Sequence, residues 1–260
     1  LGSAVSKLFL SDEKYITYCS HRKKDVGDEN SFYFDCEDEK SYFETMPKCD
    51  YVINCIGAIK PMMVKDIEKG IYLNSIFPRK LSKYCVKNNI KLINISTDCV
   101  YSGKKGKYIE SDLHDCYDEY GKSKSLGEDV ENSMVLRTSI IGEEKYNFYS
   151  LLSWIKNQKG KEVNGFTNHY WNGILTDYSG IVCKKIIENN LYENGLFHIF
   201  SSVDISKYEI IKLFNEKFDL NIKINPIKEI EKIDRTLRTN KDLCEKLNIP
   251  SFGTMVDMFL

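Results

Sequence analysis

The sequence predicts an α/β fold: a doubly wound parallel sheet with a smaller C-terminal α/β lobe. Three observations carry this. Apolar runs of strand length are near-continuous rather than alternating, as in strands buried on both faces. Helix-like stretches separate them, which implies βαβ units. The texture changes after about residue 145, where no Pro/Gly-rich linker intervenes, so the remainder reads as a packed lobe and not a tethered module. The expected division is 1–145 for the sheet domain and 146–260 for the lobe, with some later segments returning to the sheet domain.

The elements follow in order. Ala4, Val5, Leu8 and Phe9 share one helical face. Tyr15 to Cys19, Ser31 to Phe34 and Tyr51 to Ile56 read as strands, the last interrupted only by Asn54. Ile71, Ile76, Leu81, Tyr84 and Cys85 lie in a longer helical stretch ahead of a strand at Lys91 to Ile95, and Met134 to Leu136 forms a shorter strand. In the second part Thr176 is expected to cap a helix through Tyr178, Val182 and Ile186. Leu196 to Phe200 reads as a strand. Ser206-Lys207-Tyr208-Glu209 has the capping-box pattern, and Ile222 to Ile227 forms a further strand.

Composition excludes several classes. The 260 residues are 42% hydrophobic and 29% charged, with a formal net charge of -1. A disordered chain combines low hydrophobicity with high net charge, and a nucleic-acid binder working through a bulk basic field needs a basic surplus. No stretch approaches the ~18 apolar residues of a membrane span, and no signal-peptide pattern opens the chain. The nine cysteines show no close metal or dithiol spacing. They read as reduced thiols of a cytoplasmic protein, with no metal site.

The informative motif is Tyr120-Gly121-Lys122-Ser123-Lys124. A Tyr and a Lys four positions apart meet on one helix face. A nearby ammonium favours phenolate over phenol, so such a Tyr can exchange a proton with a carbonyl or hydroxyl oxygen. Upstream, Ser96-Thr97-Asp98-Cys99-Val100-Tyr101-Ser102-Gly103 closes a strand, where parallel α/β sheets carry their sites. Asn74 lies inside a helical stretch before Pro78.

Together with Tyr108-Ile109-Glu110, Ser125-Leu126-Gly127-Glu128 and Leu136-Arg137-Thr138-Ser139, these segments resemble the extended short-chain dehydrogenase/reductase family. Within it they look like the dTDP-4-dehydrorhamnose reductase branch. The resemblance is dense from Asp50 to Gly142 and thin afterwards. It implies a Rossmann-type sheet with Thr97, Tyr120 and Lys124 as catalytic residues. Tyr120 would donate a proton to the C4 carbonyl oxygen of a nucleotide-linked 4-keto-6-deoxy sugar. Lys124 would lower the Tyr120 pKa and bind the nicotinamide ribose, and Thr97 would help bind the reacting oxygen. Cys55, Ile56, Gly57, Ala58 and Asn74 would border the cofactor. Asp98, Ser139, Ile140, Trp171 and Arg235 would border the sugar nucleotide, and Arg137 would lie with Thr138 and Ser139 beside that pocket.

The family opens with a strand and a glycine-rich phosphate loop, and Leu1-Gly2 matches the end of that loop, making Gly2 a cofactor-binding residue. Residues before Leu1 are therefore expected. Without that central strand the chain is expected to fold poorly and bind cofactor weakly. The basic run Ser20-His21-Arg22-Lys23-Lys24 favours NADPH over NADH, with Ser20 and Arg22 on the 2′-phosphate and Asp35 near the adenine. A nucleotide-sugar substrate is expected, with no nucleic acid or membrane partner and with a homodimer allowed.

Some positions depart from the branch. Ile140 stands where Trp often follows Arg-Thr-Ser, and Lys107 and the segment Asp115 to Glu119 lack the usual prolines. Ile140 bears on the sugar more than on the chemistry. His198 reads as a lobe residue. His169, Tyr170, Trp171 and Asn172 could line the pocket or pack the lobe, and Arg235 and Arg238 could meet a diphosphate or pair with Asp234 or the Glu231 region. Two alternatives stand beside the reductase. One is an epimerase or dehydratase of the same fold. The other is a non-catalytic subunit resembling the regulatory subunit of methionine adenosyltransferase.

Overall fold

The computed structural model describes residues 1–22, 29–38, 42–144 and 148–260. It opens with α1 (Gly2–Leu10), β1 (Cys19–His21), β2 (Ser31–Tyr33), the short α2 (Tyr42–Thr45) and β3 (Tyr51–Asn54). Next come α3 (Lys60–Lys65), α4 (Ile67–Ile71), a π-helical turn (Tyr72–Ile76), α5 (Phe77–Lys87) and β4 (Lys91–Thr97). A 3-10 turn (Asp98–Val100) and α6 (Glu119–Leu126) lead to β5 (Ser133–Thr138). The second part comprises β6 (Ile140–Ile141), α7 (Leu151–Lys156), β7 (Glu162–Phe166), β8 (His169–Trp171), β9 (Ile174–Leu175), α8 (Tyr178–Glu188) and β10 (Gly195–His198). It ends with β11 (Ile205–Ser206), α9 (Lys207–Lys217), β12 (Lys223–Ile227), β13 (Ile233–Asp234), α10 (Leu243–Leu247) and α11 (Phe252–Phe259).

The central sheet is parallel throughout, in the order β10-β5-β4-β3. Its strands are apolar on both faces because both are covered. In β4, Leu92 packs with Phe77, Leu81 and Cys85, while its neighbour Ile93 joins the core that holds Val5, Phe9, Val182 and Ile186. Every residue of β5 is buried. Strands β1 and β2 form a separate parallel pair, which no ladder joins to β3 among the described residues. Phe34, just after β2, anchors this pair by an edge-on contact with Phe77.

The second part divides. Strand β10 returns to the central sheet beside β5, and α8 packs on α1, where Lys184 pairs with Asp12. The rest builds the lobe: parallel β7 and β12, the small sheet β11-β8-β13, and α9. Lobe and sheet share one continuous core, running from Val5 through Ile210 and Phe214 to Val256. The expected boundary at residues 145–146 touches undescribed residues, since 145–147 are not described.

Local rules explain the ends of the elements. Ser206 caps α9 with both capping-box bonds formed, Ser206 Oγ accepting from Glu209 N–H and Glu209 from Ser206 N–H. Thr176 does not cap α8. Its N–H donates to Ile141 O, which holds it beside β6, and Asp177 takes the cap position without a side-chain bond. The strand expected at Tyr15 to Cys19 starts only at Cys19, with alternate residues of the preceding stretch exposed.

Candidate functional site

The site lies at the carboxyl end of β4. Thr97 ends that strand, and its Oγ1 accepts the Cys99 N–H at 3.2 Å, which starts the 3-10 turn. Asp98 is buried behind it, with its Oδ1 3.3 Å from Thr97 Oγ1. Burial pushes the Asp98 pKa up, while the Arg235 guanidinium and hydrogen bonds from Ser139 and Thr97 pull it back down.

Tyr120 is the second residue of α6. Asp118 caps that helix by accepting the Gly121 N–H at 2.7 Å. The phenol neighbours the Thr97 hydroxyl. Burial pushes its pKa up, the Cys99 thiol adds to that, and the Thr97 side chain opposes it. Gly121 lets the helix lie this close: a Cβ there would strike Cys99 O and come within 2.7 Å of Cys116 Cβ.

The Lys124 ammonium donates to Ile95 O at 2.9 Å. Burial pulls its pKa down to about 8, against the pull of Glu128. Lys124 is not among the groups with the largest effect on Tyr120, so its expected lowering of the phenol is outweighed here by desolvation. The backbone next to this ammonium is bare. Gly57 is exposed, and a Cβ on it would come within 3.1 Å of Asn74 Oδ1 and 3.8 Å of Lys124 Nζ. Such a cradle admits a flat ligand close to the main chain and fits a nicotinamide cofactor. Cys55 lies beside Gly2 at the start of α1, and its half-buried thiol is pushed up to about 11 by burial.

Asn74 braces this cradle from the protein side. Its Oδ1 accepts the Ala58 N–H at 2.8 Å, and its Nδ2 donates to Ala58 O and Ser123 Oγ. Both amide hydrogens are thereby spent on protein. Asn54 makes the same kind of brace, donating to Asn94 Oδ1 and accepting the Ile56 N–H.

The other expected residues are scattered. Ser20 and Arg22 are exposed at the end of β1, and Lys23 and Lys24 lie outside the described residues. Asp35 follows β2 and accepts the Glu37 N–H. Ile140 is exposed in β6 beyond Ser139, while Trp171 packs edge-on against Phe252 in the core. Arg235 faces Asp98 and donates through Nε to Tyr101 O. Arg238 grips both carboxylate oxygens of Asp204 rather than pairing with Asp234 or the Glu231 region.

Arg137 does not border the pocket. It is fully buried in β5, donating from Nε to Glu128 Oε1 at 2.9 Å and from Nη2 to Glu128 Oε2. An unpaired guanidinium at that depth would be prohibitively desolvated, and Glu128, from the turn after α6, supplies the counter-ion. His198, from the central sheet and not the lobe, lies 2.7 Å from Arg137 Nη1.

Two residues near Tyr120 escaped the sequence reading. Lys60 pairs with Asp118 at 2.6 Å and sits 6.0 Å from the centre of the Tyr120 ring. Asp118, three residues before Gly121, carried a capping signal that could have been read. Nothing in the sequence marks Lys60. Among the described residues no cluster of His, Cys, Asp and Glu could hold a metal ion, and no helix is long and apolar enough to cross a membrane.

Several known proteins are similar to this chain. The dTDP-4-dehydrorhamnose reductase of Aggregatibacter actinomycetemcomitans is 30% identical over 191 residues, covering 64% of this chain and 65% of that protein. Methionine adenosyltransferase 2 subunit beta of Rattus norvegicus is 24% identical over 268 residues, covering 97% of this chain and 80% of that protein. Among solved structures, a hypothetical dTDP-4-dehydrorhamnose reductase from Sulfolobus tokodaii superposes with a TM-score of 0.73 at 20% identity, over 100% of this chain and 90% of that one. The Bacillus anthracis dTDP-4-dehydrorhamnose reductase in complex with NADP gives 0.67 at 20% identity, over 81% and 79%. Residues 1–243 match the family described as RmlD substrate binding domain, and the chain belongs to that family.

Proposed function

We propose that the chain is an NAD(P)H-dependent reductase of a nucleotide-linked 4-keto-6-deoxy sugar. The observation that carries this reading is the convergence of Thr97, Tyr120 and Lys124 at one strand end, with the threonine hydroxyl near the phenol and the ammonium beside the bare Gly57 backbone. The reductase of Aggregatibacter and the NADP complex of the Bacillus enzyme support the substrate class and the cofactor.

The cofactor supplies the hydride that goes to C4. Burial keeps Tyr120 a phenol, the state a reduction needs, and its Oη gives the proton to the carbonyl oxygen as that oxygen gains charge. The Thr97 hydroxyl holds the same oxygen. The phenolate left behind is supported by the Thr97 hydroxyl and by the Lys124 ammonium one helical turn away. Arg22, exposed after β1, suits the additional phosphate of NADPH.

The test is NADPH oxidation, followed by absorbance, with a panel of nucleotide 4-keto-6-deoxy sugars. Tyr120→Phe should lower kcat by about 10²–10⁴-fold. Absence of turnover with every sugar, with cofactor binding identical in wild type and Tyr120→Phe, would favour a second reading. This is a non-catalytic subunit, which the 97% coverage by the methionine adenosyltransferase subunit supports.

A further inference from the structure

We propose that Arg137 is a positioning residue: it holds the helix that carries Tyr120 and Lys124 in register with the segment that carries Arg235. The consequence for catalysis rests on the reductase reading, while the coupling itself can be measured without turnover.

The guanidinium is fully buried, and each of its five N–H groups finds an acceptor. Nε and Nη2 hold the two carboxylate oxygens of Glu128. The second hydrogen of Nη2 goes to His114 Nε2 at 2.7 Å. Nη1 divides between Tyr101 Oη and His198 Nε2, the latter at 2.7 Å. A guanidinium only donates, so both imidazoles present a bare Nε2 and carry their hydrogen on Nδ1. Their other neighbours fit that tautomer. His198 Nδ1 lies 2.7 Å from the carbonyl oxygen of Arg238, and His114 Nδ1 lies 2.5 Å from Ser125 Oγ.

One set of these bonds ends on α6. Ser125 is the residue after Lys124, and Glu128 follows the capping residue Gly127. The carboxyl end of the helix is thereby clamped to β5. The other set ends on residues 235–238. Tyr101, whose hydroxyl takes Arg137, offers its own carbonyl to Arg235 Nε at 3.1 Å. Arg238, whose carbonyl takes His198, donates its N–H to Tyr108 O at 2.7 Å. Between them Leu237 exchanges two bonds with the Asn172 amide, at 2.8 and 3.0 Å. This segment joins no ladder beyond a single bridge from Leu237 to Tyr108, so its place is set by these anchors.

The two sets meet only at the guanidinium. A buried N–H left without a partner is costly, so Arg137 cannot turn toward one side without giving up a bond on the other. A shift of the helix is therefore felt by the segment that presents Arg235 to Asp98, and the reverse holds.

Hydrogen exchange of the full chain, followed by mass spectrometry, reads this coupling. His114→Leu cuts the link to Ser125 and should speed exchange in residues 236–239, on the far side of Arg137. His198→Leu cuts the link to Arg238 and should speed exchange in α6. Each effect should be about threefold or more, the size expected within one hydrogen-bond network. His114→Gln offers an oxygen to Arg137 and a nitrogen to Ser125, and should restore the wild-type rates. In NADPH oxidation both leucine variants should lower kcat/KM by about tenfold or more, His114→Leu mainly through kcat and His198→Leu mainly through the sugar KM. The double variant should lose less than the product of the single losses, by about threefold. If His198→Leu does not fold, His114→Leu and His114→Gln decide. Exchange that changes only beside each substitution, that rises equally in β3, or that His114→Gln fails to restore overturns the proposal. Reciprocal exchange without turnover on any sugar upholds the coupling and counts against the reductase reading only.

Discussion

Lys124 shows how one residue can carry opposing demands. In the proposed reaction its ammonium must be charged to hold a ribose hydroxyl and a phenolate, yet burial lowers its pKa from 10.5 to about 8. A lowered pKa in a base means that the charged form is near complete about a unit below pH 8, is half lost near pH 8 and goes as pH rises further. NADPH affinity, measured by fluorescence titration, should therefore be flat from pH 6.5 to 7.5. Above about pH 8 it should weaken, by up to about tenfold per unit. Lys124→Met should bind weakly and show no such decline, whereas a parallel decline in that variant would place the titration elsewhere. Much of this site was legible in the sequence, since Tyr120 and Lys124 announce themselves by helical spacing and Thr97 by its strand end. Arg137 was not. The string Arg-Thr-Ser is equally compatible with a pocket rim and a strand interior, and only the approach of Glu128 across the fold separates the two.

At the scale of elements, the site depends on how closely α6 can approach its neighbours. A Cβ on Gly127 would strike the carbonyl oxygen of Asn74 in the π-helical turn, backbone that cannot swing aside. Ser75 Oγ donates to Ser123 O, and Asn74 Nδ2 to Ser123 Oγ, so the turn and the helix are stitched together at that contact. Gly127→Ala should cost about 2 kcal/mol in denaturant unfolding and lower kcat by shifting Tyr120 and Lys124 together. Gly253, in α11, offers the contrast: its nearest neighbour to a new Cβ is 3.9 Å away, so Gly253→Ala should stabilise by about 0.5–1 kcal/mol. A loss no larger than about 0.5 kcal/mol for Gly127→Ala would mean that the turn yields. Strands β3, β4 and β5 and helix α9 were legible because apolar runs and a capping box are local signals. The return of β10 to the central sheet was not, because Leu196-Phe197-His198 reads alike in a lobe and in a sheet, and its pairing with Met134 to Arg137 is a long-range fact.

For the whole molecule, the division of strands between two sheets sets where stability should concentrate. Strands β3, β4, β5 and β10 share a continuous ladder and a core on both faces. The β1–β2 pair is held differently. Its links to the rest include Phe34 and Cys36 in the apolar cluster around Phe77, Tyr72 Oη donating to Cys36 O at 2.7 Å, Thr45 Oγ1 donating to Tyr33 O, and the Lys69–Glu37 ion pair. Exposed ion pairs contribute little, and a short two-stranded pair is marginal by itself. Native-state hydrogen exchange should therefore show residues 19–22 and 29–38 opening at least about 2 kcal/mol more easily than β4 and β5. This region also carries Ser20, Arg22 and Asp35, the expected adenosine end of the cofactor. NADPH should slow exchange there by more than it slows β5, because a ligand stabilises most strongly the local unit that must be formed to bind it. NADH, lacking the phosphate, should protect the same segment less. Protection confined to residues 54–58 and α6 would mean that the adenosine end is held elsewhere, and equal opening of the pair and the central sheet without ligand would show that the apolar cluster around Phe34 makes them one cooperative unit.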